Sequence, residues 1–136
     1  MAIIFDILIK YSCIASLSVG DKGMIIISVP VISRAAQVFL FSIGKTAKST
    51  GSGNLFIGNV GGSEALTALI AGVFISLPLL GMKTTIILFL TALVVTLSFN
   101  YYCNKKIGGL TGDTLGANNE LVEITVLIMY LAIIQF

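Results

Sequence analysis

The chain is a succession of apolar runs of membrane-crossing length. Residues 1–18, 23–43, 65–80, 84–103 and 118–136 are each 16 to 21 residues long and carry no more than two charged side chains apiece. A hydrocarbon core takes about 17 to 25 residues of helix, so four runs fit as they stand. The third fits by borrowing Ser63 or Glu64 at one end, or Gly81 and Met82 at the other. With 57% hydrophobic and only 10% charged residues and a mean hydropathy of +1.06, a soluble domain of 136 residues would have far more apolar surface than its core could absorb. The expected fold is therefore all-α: a polytopic integral membrane protein with about five transmembrane helices, forming one helical domain over residues 1–136.

Three observations narrow the chemistry. A net charge of +2 with no basic stripe excludes a nucleic-acid surface. Histidine is absent, which leaves carboxylates, Lys and Arg for acid, base or ligand work. Cys13 and Cys103 lie in apolar runs without metal or redox spacing and read as small buried hydrophobes. Asp6 and Lys10 interrupt the first run and no basic segment precedes it, so it reads as a mature helix rather than a signal peptide. Pro30 and Pro78 fall inside runs, where a membrane helix tolerates a kink.

Orientation follows from the lysines in short loops. Lys45, Lys48, Lys105 and Lys106 share one side and Lys22 and Lys83 the other. This bias places the Gly-rich loops GKTAKSTGSGNLFIGNVGG and NKKIGGLTGDTLGA together in the cytoplasm, with the N-terminus inside and the C-terminus outside.

The segment GGLTGDTLGANNELVE, residues 108–123, carries the most chemistry. If its helix begins near Asp113, then Asp113, Gly116 or Ala117, Glu120 and Glu123 share one face. Three carboxylates on one strip resist ionisation unless a cation neutralises them, and hard oxygen ligands suit magnesium together with a substrate phosphate. A plain alternative stands beside this: Asp113 or Asn118 caps the helix and the acids favour its dipole. Glu123 lies one to two turns inside an apolar helix, where an ionisable group marks function by default. The glycines at 108, 109, 112 and 116 admit either a phosphate or a close neighbour. Arg34, deep in the second run, needs an anion: a structural carboxylate from Asp6, Glu120 or Glu123, or a substrate phosphate. Asp6 and Lys10 are spaced to pair with each other across one turn.

These residues resemble the C-terminal half of the cobalamin synthase family, the adenosylcobinamide-GDP ribazoletransferases. GGLTGDTLGANNELVE, GSGNLFIG some fifty residues earlier and the pair Ser33-Arg34 carry the likeness, which covers nearly the whole chain. It implies a multi-pass enzyme of the inner membrane with magnesium as cofactor. Such an enzyme joins adenosylcobinamide-GDP to alpha-ribazole or its 5'-phosphate, giving adenosylcobalamin or its phosphate and releasing GMP. The acidic strip and the resemblance together nominate Asp113, Glu120 and Glu123 as catalytic, with Asp113 and Glu120 as magnesium ligands. Arg34, Asn54, Gly108, Gly109, Thr111 and Gly112 are the substrate-binding candidates. The family's Asp-rich D-G-x-x-D-x-x-D-G segment does not occur here, where the only aspartates are Asp6, Asp21 and Asp113. The chain is therefore expected to be the C-terminal part of a longer enzyme or one half of a split gene, inactive alone, with the missing half or a second copy as partner. A small transporter or ion-pathway subunit, with Arg34, Glu120 and Glu123 as a buried charge relay, is the alternative, and liposome flux separates the two.

Labelling of introduced cysteines with an impermeant reagent is expected to place Lys48 and Lys105 on the cytoplasmic side and Lys22 and Lys83 outside. Gly-rich loops on opposite faces would rule out a shared site, because about 30 Å of hydrocarbon would separate them.

Overall fold

Each apolar run becomes a helix, and each turn falls at a residue whose backbone or side chain ends one. The computed structural model describes residues 2–47 and 52–135. In chain order these form α1 (Ala2–Ala15), α2 (Val19–Ile43), a short 3-10 turn (Ser52–Leu55), α3 (Gly62–Leu80), α4 (Met82–Ile107) and α5 (Gly112–Gln135). Ser18 caps α2, its hydroxyl accepting from the Asp21 amide at 3.3 Å and donating to the Asp21 carboxylate at 2.5 Å. Gly81, at φ 78°, is the single residue between α3 and α4. Gly108, at φ 77° and ψ 10°, ends α4 in the left-handed conformation that favours glycine.

Helices α2 to α5 are long and apolar enough to cross a membrane. Helix α1, at 14 residues, reaches about 21 Å and falls short of the roughly 30 Å core. The five expected spans are thus five helices, of which four have spanning length. The first run is cut because Ser16 turns its hydroxyl back to the Cys13 carbonyl at 2.8 Å and Ser18 starts the next helix. The third run gains Gly62, Ser63 and Glu64, and α5 begins at Gly112, which brings Asp113 into its first turn. Pro30 and Pro78 sit inside α2 and α3 without ending them.

Helix α2 is central. Its Ile25, Val29, Ile32, Ala35 and Ala36 pack with Leu88, Phe89 and Ala92 of α4 and with Val122, Val126, Leu127 and Tyr130 of α5. The outer faces, such as Ile4, Phe5 and Leu8 of α1 and Phe74 of α3, expose large apolar side chains, as lipid-facing surfaces do. Cys13 and Cys103 are buried free thiols.

Cross-links between helices fix their directions. Tyr130 meets Asp21 and Asn119 meets Ser33, so α2 and α5 run antiparallel. Helix α1 leads into the turn at Asp21 and therefore runs alongside α5 in the same direction. The two Gly-rich loops consequently share one end of the bundle, and there they bind each other. The Ala47 amide donates to the Leu110 carbonyl at 2.9 Å and the Leu110 amide donates to the Lys45 carbonyl at 2.7 Å, forming an isolated parallel bridge between Thr46 and Leu110. Leu40, Ile57, Cys103, Leu110 and Leu115 seal the lock from below. That shared end is what the alternation of the five runs anticipates, although Lys48 itself lies outside the described residues.

Gly109 makes the lock possible. A Cβ there would stand 2.5 Å from the Lys45 carbonyl oxygen and 2.7 Å from the Ala47 nitrogen, at a φ of 152°. Gly116 is the opposite case, a helical glycine with nothing within 4 Å of its added Cβ. Gly109→Ala is expected to destabilise the protein by more than about 2 kcal/mol, and Gly116→Ala to stabilise it by roughly 0.5 kcal/mol. Thermal unfolding in detergent checks the opposite signs.

Candidate active site

Thr111 opens α5. Its hydroxyl accepts from the Thr114 amide at 3.4 Å while the Thr114 hydroxyl accepts from the Thr111 amide at 2.7 Å, a reciprocal cap that satisfies orphan donors of the first turn. The cap that sequence reasoning assigned alternatively to Asp113 or Asn118 is therefore supplied by Thr111. Asp113 is exposed and takes part in no hydrogen bond or ion pair among the described residues. Beside it, Gly53 of the 3-10 turn lies so close that a Cβ there would be 3.0 Å from the Gly112 nitrogen. The backbone around Asn54 is thereby held against the start of α5.

Further along the same face of α5 the carboxylates behave differently. Glu120 and Glu123 both grip the Lys10 ammonium, Glu123 at 2.8 Å, and Lys10 also pairs with Asp6 at 3.3 Å, one turn back on α1. The expected Asp6 to Lys10 pair is present, but as one arm of a four-residue cluster. The Glu123 side chain is 17% exposed and that of Glu120 50%. From Glu123 the network runs inward: the Asn119 amide donates to Glu123 at 2.9 Å, and the Ser33 hydroxyl donates to the Asn119 side-chain oxygen at 2.8 Å and to its backbone carbonyl at 3.1 Å. One polar chain thus ties α1 to α5 and α5 to α2. Three carboxylates against one ammonium leave it with two negative charges in excess at full ionisation.

The expected residues accordingly fall into separate groups. Asp113, Gly109, Gly112 and the Asn54 backbone gather at the loop end. Glu120 is seven residues, or about 10 Å, further along the helix and belongs with Glu123 to the Lys10 cluster. Arg34 joins neither: it is exposed, its guanidinium donates to Gln37 at 2.8 Å, and every ion pair among the described residues involves Lys10 instead. Gly108 and Gly109 are accounted for by the end of α4 and by the lock, and Thr111 by its cap. Gly116 leaves bare helix surface between Asp113 and Glu120. No group of three or more acidic, Cys or His side chains among the described residues is arranged to hold a metal. At the loop end the exposed Asp113 offers a single unengaged carboxylate, where magnesium takes one or two along with substrate phosphate.

Lys10, Asn119 and Ser33 are the members that sequence reasoning did not assign to the site. An intramembrane lysine four residues from an aspartate reads as a local pair, and nothing in the spacing says that α5 lies beside it. Asn118 is fully buried with neither amide atom hydrogen-bonded, which its polar neighbours Asn119 and Glu120 do not reveal.

Comparison with known proteins adds an independent line. Residues 1–131 match the family described as Cobalamin-5-phosphate synthase. The chain is 45% identical over 98% of its length to the adenosylcobinamide-GDP ribazoletransferase of Clostridium tetani, covering 53% of that protein. It is 48% identical over 98% of its length to the protein of the same name from Clostridium kluyveri, covering 54% of it. The chain therefore spans about half the length of the curated relatives it matches. No solved structure matches significantly.

Lys10→Met would leave three carboxylates facing one another without a cation. The expected loss is about 2 to 4 kcal/mol of stability, at the low side of the range for breaking a buried ion pair because Glu120 is half exposed. Adding Glu120→Gln to Lys10→Met should recover part of it. Unfolding midpoints in detergent decide, and an unchanged midpoint for Lys10→Met would show that the cluster contributes nothing.

Proposed function

The chain belongs to the cobalamin-5-phosphate synthase family, and from that premise we propose that it forms part of a magnesium-dependent transferase of cobalamin synthesis. In this reading the enzyme joins adenosylcobinamide-GDP to alpha-ribazole or its 5'-phosphate and releases GMP. A ribose hydroxyl attacks the phosphorus that carries the cobinamide, the bond from that phosphorus to the GMP oxygen breaks, and the hydroxyl proton passes to a base. Catalysis of such a transfer is chiefly positioning and charge stabilisation.

The observation that carries the assignment is the lock between the two Gly-rich loops, with the unengaged carboxylate of Asp113 beside it. Gly53 backs directly onto Gly112, so a diphosphate would approach the first turn of α5 from the exposed side of Gly112 and Asp113. Magnesium bound at Asp113 would neutralise the charge of that diphosphate. Glu120, half exposed on the same helix face and ion-paired with Lys10, would accept the proton of a substrate hydroxyl that reaches the roughly 10 Å along α5 from Asp113. Glu123, fixed by Lys10 and Asn119, holds the strip in place. Lys45, Lys105 and Lys106 lie at the loop end and Lys22 and Lys83 at the other, which supports a cytoplasmic site in the inner membrane. The transporter alternative has no observation of its own here, since the acidic groups close on Lys10 and leave Arg34 outside any relay.

Asp113→Asn tests the reading in the assembled enzyme, with the remainder of the protein present. It preserves shape and removes the charge, so turnover should fall more than tenfold, or about 1.4 kcal/mol of transition-state stabilisation. Because Thr111 supplies the cap, membrane yield should hardly change. Near-normal turnover at saturating magnesium would reduce Asp113 to a partner of the helix dipole.

A further inference from the structure

Arg34 sits nine residues from the loop end of α2, about 13 Å along its axis. Its guanidinium donates to the neutral Gln37 and joins none of the ion pairs of the acidic cluster. No carboxylate among the described residues lies within ion-pair distance of it. An unpaired guanidinium within hydrocarbon is costly enough to demand an anion. The surroundings say what kind. Arg34 lies on the edge of a groove of about 370 Å³ between α2 and α3, lined by Pro30, Ala35, Ala68, Ala71 and Gly72 among others. These small residues leave the backbones bare, and the space beneath is already full, since a Cβ on Gly72 would stand 3.0 Å from the Phe89 ring and 3.1 Å from Ala35. Small residues at helical spacing let a further helix approach closely.

A diphosphate does not suit this groove. It would need several donors, and Arg34 is the only charged group among the groove's lining residues, with no loop or helix N-terminus beside it. A single carboxylate on an apolar helix does suit it, because a guanidinium fork matches one carboxylate with two hydrogen bonds. We infer that the α2/α3 groove is the seat of a further transmembrane helix that carries an Asp or Glu at the depth of Arg34. We assign that helix to the half of the family's protein that this chain does not cover, since the matched relatives are almost twice as long. The inference concerns assembly and stands apart from the loop-end site.

Site-specific photocrosslinking tests it in membranes of cells that co-produce this chain and the uncovered half of the Clostridium tetani relative. Benzoylphenylalanine is placed at Ala71 in the groove or, as a control, at Leu90, which is 57% exposed on α4. The expected product from Ala71 is an adduct with an apolar segment of the other half that contains an acidic residue. Arg34→Glu should cut its yield at least fivefold, and Arg34→Lys, which keeps the charge and loses the fork, should cut it less. Equal membrane levels of the variants, measured by immunoblot, separate this from failure to fold. Adducts only with lipid or with a second copy of this chain would overturn the inference. So would a yield indifferent to Arg34→Glu, or loss of the adduct when GDP is added, which would give Arg34 to a phosphate. None of these results depends on turnover, so the inference and the transferase reading fail separately.

Discussion

A peptide group without a hydrogen bond costs several kcal/mol in hydrocarbon, and that constraint organises the whole molecule. It makes every apolar run a helix and confines irregular backbone to the ends of the bundle. At one end the 45–47 and 108–111 segments satisfy each other across the Thr46 to Leu110 bridge. The lock fixes where α5 begins, and with it the place of Asp113 on the first turn.

The charged residues obey a second form of the same rule. Asp6, Glu120 and Glu123 converge on Lys10, so the bundle meets their need for a counter-cation internally. Removing that ammonium would leave like charges close together, whereas replacing the entire cluster by apolar groups could be nearly neutral. The cluster is therefore better understood as a device that selects how α1 lies against α5 than as a large source of stability.

Much of this was legible in the sequence. Run lengths gave the helices, and their alternation across the bundle grouped the Gly-rich loops at one end, where the structure has them. The motif around Asp113 pointed to the family that the comparisons show. What was hidden depends on neighbours that no spacing reveals. Lys10 looked local because its aspartate is four residues away, while its glutamates are more than a hundred residues distant. The first run looked long enough to span because Ser16 and Ser18 are small and unobtrusive in an apolar context, yet they end one helix and start the next. Gly109 could have served a phosphate or a neighbour, and only the backbone atoms of residues 45–47 decide for the neighbour.

The bridge has a consequence for the order in which the bundle comes together. Sixty-four residues of chain separate Thr46 from Leu110, and closing a loop of that length in a free chain costs roughly 4 kcal/mol of entropy. Two hydrogen bonds between water-accessible loops return less than that. The lock therefore cannot nucleate assembly. It closes once α3 and α4 have inserted as a hairpin and brought both ends back to the same face, so the loop end takes shape only after the helices below it are in place.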